Sequence, residues 1–266
     1  MNTQLRHVDL GDCDLEIESV IAMATVLSQN QRLRSVVLNR PLFFTHQEEG
    51  PVHMGLMLKA NNNLTELHLA KFDIRDFGVE RLCDGLYGNY SLKYLNISSN
   101  RLSRDGAKTL AKLLRHNTPL EVLDIGNNRI EAQGVSDIAS SLAASNTKLK
   151  ALVVTSNSIS GAGLVSIAAS MLVNKTLTNL YIWGNDIADV RACSAFGQLM
   201  TSERLLEKNT DVRPYVVNGR VHLAEVSHGL RRFYYWTPTH GPDVHGYTGP
   251  ETYPCSVGDG FTEPGV

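Results

Sequence analysis

One pattern, L-x-x-L-x-L-x-x-N-x-L, recurs seven times between Leu5 and Asn185 and constrains the chain more than any other feature. Its clearest copies are Leu92-Lys-Tyr-Leu95-Asn-Ile97-Ser-Ser-Asn100-Arg-Leu102 and Leu120-Glu-Val-Leu123-Asp-Ile125-Gly-Asn-Asn128-Arg-Ile130. Copies start at Leu5, Leu33, Leu64, Leu92, Leu120, Leu149 and Leu177, so the period is 28 residues with two exceptions, 31 and 29. A fixed period of this length marks a solenoid, in which each unit buries its apolar side against its neighbours.

Each unit divides into two halves. The first alternates apolar and polar residues, the period of a strand: Leu92, Leu95 and Ile97 point inward while Tyr94, Asn96 and Ser98 point out. The second half has helical spacing. After Gly106 the inward stripe is Leu110, Ala111 and Leu114, and the same offsets from Gly134 give Ile138, Ala139 and Leu142. Gly163 and Gly78 open equivalent stripes. The small middle residue lets the helix lie close to the strand layer.

Asparagine is used twice. Asn100, Asn128, Asn157 and Asn185 end the strands, where their amides can bond neighbouring turns as an internal ladder; Cys13 takes that place in the first copy. A second set, Asn30, Asn61, Asn89, Asn117 and Asn174, lies 11 residues past the residue that opens each helix, and one extra residue moves this cap to Asn146. Asparagine tolerates the left-handed backbone common at a helix C-terminus, which is the role expected of this set.

A strand and a long helix per unit predict an α/β leucine-rich-repeat horseshoe, with a parallel concave sheet and convex helices. The G-x-x-x-[LI]-A helix resembles that of the ribonuclease-inhibitor-like class over about residues 5–200. The expected organisation is a seven-repeat domain over 1–208 without an N-terminal cap, a hairpin cap over 209–236 and an irregular tail over 237–266. Because the first copy reads as an interior repeat, the chain is expected to be a fragment of a longer protein.

A net charge of −2 supplies no basic field, so no nucleic-acid partner is expected. No run of 18 apolar residues exists, and no membrane span is expected. Four scattered cysteines, at 13, 83, 193 and 255, read as reduced intracellular thiols. The sequons at Asn63, Asn89, Asn96 and Asn174 fall where the repeat demands asparagine and read as accidental.

Where the repeat breaks, function is sought. Pro41 and Phe72 replace the ladder asparagine, and the segment Pro41–Gly50 carries three extra residues. Its adjacent Phe43 and Phe44 read either as a docking knob or as a repacked turn with one ring buried. Past Met200 the repeat stops. Alternating strands around Asn218-Gly219 predict a type I′ hairpin that extends the sheet and covers the last repeat. Tyr234, Tyr235 and Trp236 follow, either cap core or partner anchors. From Thr237 to Val266, 11 of 30 residues are glycine or proline, a composition expected to be irregular.

No catalytic, cofactor or small-molecule motif is present. His7 and His68, near Asp9 and Glu66, lie on strands two repeats apart, about 10 Å, and read as polar surface rather than a metal site. The concave face reads as a protein-binding surface: small and polar at Asn96 and Asp124, aromatic at Tyr181 and Trp183, the last with cap packing as its alternative.

Three stretches go beyond the generic repeat: Val8–Leu15, Tyr181–Asn185, and Asn209–Leu230 with Tyr234–Trp236. Together they resemble a leucine-rich-repeat family associated with germ cells and motile cilia. The resemblance implies a non-enzymatic scaffold without cofactor or metal, held in a large axonemal assembly of the radial-spoke type by protein partners. A second role attached to that family is a soluble regulatory adaptor in the nucleolus.

Overall fold

The computed structural model describes residues 5–44 and 48–226. Seven three-residue strands form one parallel sheet in chain order: β1 His7–Asp9, β2 Ser35–Val37, β3 Glu66–His68, β4 Tyr94–Asn96, β5 Val122–Asp124, β6 Ala151–Val153 and β7 Asn179–Tyr181. The register aligns one repeat position throughout, Val8 with Val36, Leu67, Leu95, Leu123, Leu152 and Leu180. After each strand comes a helix: α1 Ile17–Gln29, α2 Glu49–Ala60, α3 Asp76–Leu86, α4 Arg104–Arg115, α5 Glu131–Ala144, α6 Gly161–Val173 and α7 Val190–Thr201. The expected α/β leucine-rich-repeat solenoid is the observed fold, and each predicted helix stripe is buried, Leu110, Ala111 and Leu114 in α4 and Ile138, Ala139 and Leu142 in α5.

The strand-end asparagines form the expected ladder. Asn128 Nδ2 donates to Ile97 O of the preceding turn at 3.2 Å and to Ile125 O of its own at 2.9 Å, while its Oδ1 accepts from Leu102 N. Asn157 and Asn185 repeat the arrangement one and two turns on. The residue before each ladder position has positive φ in all seven repeats: Asp12, Arg40, Lys71, Ser99, Asn127, Ser156 and Gly184. The chain must turn sharply out of a three-residue strand there. For the six residues with a Cβ the conformation costs about 1 kcal/mol each, offset by the ladder bonds that follow.

The second asparagine set works differently from expectation. Asn30, Asn61 and Asn174 are extended, with φ between −69 and −90°, rather than left-handed. Their side chains do the capping. Asn61 Oδ1 accepts from Asn63 N and Leu64 N, both at 2.8 Å, and its Nδ2 donates back to Leu27 O and Asn30 O. Asn89, Asn146 and Asn174 repeat this second ladder. It breaks at Asn117, which is left-handed (φ 55°) and bonds the exposed Thr147 instead. The cause is Pro119: the residue two on from each laddered asparagine donates its N–H to Oδ1, and proline has none. At the C-terminal end Arg204 replaces asparagine, donating to Met171 O, Asn174 O and Leu177 O.

Two helix starts are capped from the preceding repeat. Glu48 Oε1 accepts from Arg75 N and Gly78 N at the head of α3, and Asp76 Oδ1 accepts from Ser103 N and Gly106 N at the head of α4. Helices α2 and α3 touch backbone to backbone: a methyl on Gly85 would collide with the carbonyl of Gly55.

The hairpin forms as predicted, β8 Val212–Val217 with β9 Arg220–Glu225 around Asn218 (φ 49°) and Gly219 (φ 75°), the signs a type I′ turn requires. It does not extend the main sheet. It stands as a separate two-stranded sheet packed on α7, where Val221 lies against Gly197. A single parallel bridge, Leu180 to Thr210, links the segment before it to β7. Asp211 then caps the open strand end, accepting from Ile182 N and Trp183 N, both at 2.9 Å.

Candidate partner-binding surfaces

The bulge after β2 divides the work of its two phenylalanines. Leu42 N donates to Leu15 O of the previous repeat at 2.8 Å, tying the segment down. Phe43 turns in and meets Phe72 edge-to-face, ring centroids 5.2 Å apart. Gly50 makes room: a methyl there would sit 2.9 Å from Phe72 and 3.3 Å from Phe43. Phe72 therefore fills with a ring the space that the ladder amide occupies elsewhere. Phe44, the next residue, is 79% exposed. Thus Phe43 is partly buried against the core and Phe44 is presented beside it; residues 45–47 lie outside the described residues.

Other exposed rings lie on the helical side of the third repeat. Tyr90 is 74% exposed and follows α3. Tyr87 packs edge-on against His116 of the next repeat, and the Arg81 guanidinium lies over the Phe77 ring at 5.2 Å. The sequence reading missed these, because aromatic residues at helix ends do not stand out from the repeat consensus.

The concave candidates are placed otherwise than expected. Tyr181 is 1% exposed and Asn96 6% exposed, so neither offers an accessible anchor. Asn96 Oδ1 accepts from Ser98 N, and Asp124 Oδ1 accepts from Gly126 N, so each carboxyl or amide stabilises its own strand-end turn. Trp183 is half-buried against the core, its backbone N–H donating to Asp211 Oδ2, which answers to cap packing rather than a free anchor. Glu66 and His68 are not polar surface either: both are fully buried, Glu66 Oε1 lies 2.6 Å from His68 Nε2, and the imidazole lies tilted by 33° against the Tyr94 ring, centroids 4.6 Å apart. Tyr234, Tyr235 and Trp236 lie outside the described residues, as does Cys255.

Among the described residues no group of three or more His, Cys, Asp or Glu side chains could hold a metal ion. No described helix is long and apolar enough to cross a membrane. The sequon asparagines Asn63, Asn89, Asn96 and Asn174 are all under 8% exposed, beyond the reach of a glycosylating enzyme in the folded chain. Cys83 is buried, and desolvation, with Asp84 and Glu80 adding to it, pushes its thiol up to about 12. Cys13 is exposed.

On the strand-entry edge Glu121 receives Lys150 at 2.7 Å and Lys93 at 3.1 Å, an ion pair spanning three repeats. Burial alone would raise its carboxyl, and the bonds from Lys150 and Lys93 outweigh that and lower it.

The leucine-rich-repeat family model matches residues 88–111, 116–139 and 145–168. Leucine-rich repeat-containing protein 34 of mouse is 48% identical over 253 residues, 95% of this chain and 59% of its own length. The human protein of that name is 48% identical over 86% of this chain and 47% of its own length. The chain thus spans about half the length of the curated relatives it matches. Two solved structures match parts of the chain distantly: leiomodin-1 actin-binding site 2 (22% identity, 57% of this chain, 86% of that one, TM-score 0.49) and a tropomodulin C-terminal domain from Caenorhabditis elegans (18% identity, 70% and 93%, TM-score 0.38). Nothing about partners follows from either.

Proposed function

This chain is a leucine-rich-repeat protein and a relative of leucine-rich repeat-containing protein 34, and from that premise we propose that it is a non-enzymatic scaffold of the motile-cilium axoneme, in an assembly of the radial-spoke type. The coarser part, a protein-interaction scaffold, rests on the repeat itself, which builds one long ordered surface from units that cannot fold singly. One observation carries the choice of contact: Phe44, 79% exposed, stands beside a Phe43 that packs partly buried against the core and edge-to-face on Phe72. A large apolar ring held out on a rigid base loses little conformational freedom on binding, the property of an interface anchor. The ciliary assignment draws on the family resemblance of the strand, Trp183 and hairpin segments.

The test is fractionation of ciliated cells. The protein is expected to stay with axonemes after detergent and a high-salt wash. Recovery in the soluble fraction would overturn the axonemal reading in favour of a diffusible adaptor, and recovery with nucleolar proteins would place that adaptor.

A further inference from the structure

From β2 to β7 the concave face of the sheet is buried except at Asp124 and Asn179, and no described element lies on it. In a repeat solenoid the helices cover one side of the strands only. Here the side chains on the other side are as closed as a core: Glu66, His68 and Tyr94 are 0% exposed, Val122 2%, Ala151 4% and Tyr181 1%. Tyr94, Val122 and Ala151 form a second apolar cluster, separate from the core between sheet and helices. Among the described residues the helices pack on one another and the hairpin packs on α7, so neither supplies that cover. Adjacent side chains shield one another sideways but leave the top of an open sheet wet.

We propose that the concave face is the docking site of this chain's own C-terminal segment, residues 227–266. The described chain ends beside it: Val226 N donates to Asp211 O, and the Asp211 carboxylate caps the end of β7. Seven residues on, the run Phe233-Tyr-Tyr-Trp236 begins. Seven extended residues reach about 23 Å. Strand β4, three strands in from β7, lies about 14 Å away at ordinary strand spacing. The chemistry matches as well. The face offers the rings of Tyr94 and Tyr181 and the small apolar Val122 and Ala151, flanked by the acids Asp9, Glu66 and Asp124. The segment brings seven aromatic residues, with Arg231 and Arg232 directly before the aromatic run. A segment seated there leaves Phe44 and the helical side open.

Trp236 reads this out. The chain has two tryptophans, so Trp183→Phe leaves Trp236 as the only one. In the full chain we expect acrylamide to quench Trp236 about tenfold less than in the free peptide 227–266, the ratio for a segment docked nine-tenths of the time. The shielding is expected to be independent of protein concentration. Adding Val122→Asp, which puts a charge in the middle of the face, is expected to restore quenching with the far-ultraviolet dichroism unchanged. Quenching equal to that of the free peptide overturns the proposal. So does shielding that disappears on dilution, which would assign the face to a second copy. The comparison with the peptide needs no second substitution, so it decides even if Val122→Asp fails to fold.

Discussion

Two asparagines at the same repeat position should behave very differently when truncated. Asn61 is 1% exposed and makes four bonds, from Nδ2 to Leu27 O and Asn30 O and to Oδ1 from Asn63 N and Leu64 N. Asn61→Ala strands four backbone groups in a dry interior between two repeats. At roughly 1 kcal/mol for each net bond, more where a group stays dry, the loss is about 3–5 kcal/mol. Asn117 occupies the same place one repeat after Asn89, yet it bonds the exposed Thr147. Asn117→Ala loses bonds that water replaces, plus the strain of alanine at φ 55°, about 1 kcal/mol together. Urea unfolding followed by circular dichroism should separate the two midpoints widely while the slopes stay alike. Equal losses at the two positions would refute the argument that Pro119 takes Asn117 out of the ladder.

Three further outcomes are expected. Gly85→Ala should destabilise by about 1–3 kcal/mol, because the new methyl meets the Gly55 carbonyl and the helices must part; an unchanged melting temperature would show that α2 and α3 are less tightly apposed. Alkylation of the native chain at pH 8 should modify Cys13 and spare Cys83, whose thiol is buried and raised to about 12; rapid loss of both thiols would contradict this burial. The Glu121 carboxyl is lower in the folded chain than in the unfolded one, so its contribution is present above the ordinary carboxylate range near 4.5 and is lost as pH falls through the lowered value. Glu121→Gln should therefore flatten the acid limb of the stability–pH curve, and an unaltered limb would remove Glu121 from that account.

What the sequence made legible was whatever every repeat repeats. Leucine spacing set the register of all seven strands, Asn128 and Asn157 declared the ladder, and Asn218-Gly219 declared the turn. Reading failed where a residue acts across repeats or against its usual preference. Nothing about Arg40 or Lys71 announces positive φ; the neighbouring ladder position imposes it. Glu48 and Asp76 cap helices roughly 27–30 residues away in the chain, too far for a local capping pattern to show. Asparagine's backbone tolerance suggests a left-handed Asn61, whereas Asn61 is extended and its side chain does the capping. Tyr181 and Asn96 face the correct side of the sheet but are buried there, since alternation reports which face a side chain takes and not what covers that face.

In the function we propose, an axonemal assembly holds this solenoid through a ring it presents rather than through its concave sheet. Phe44→Asp tests it most directly, since Phe44 is 79% exposed and its loss should leave thermal unfolding unchanged within about 0.5 kcal/mol. The measurement is the fraction of full-length protein retained on salt-washed axonemes, wild type against Phe44→Asp. The expected result is wild-type retention and a large loss for the variant at equal stability. Equal retention of the two proteins would contradict it.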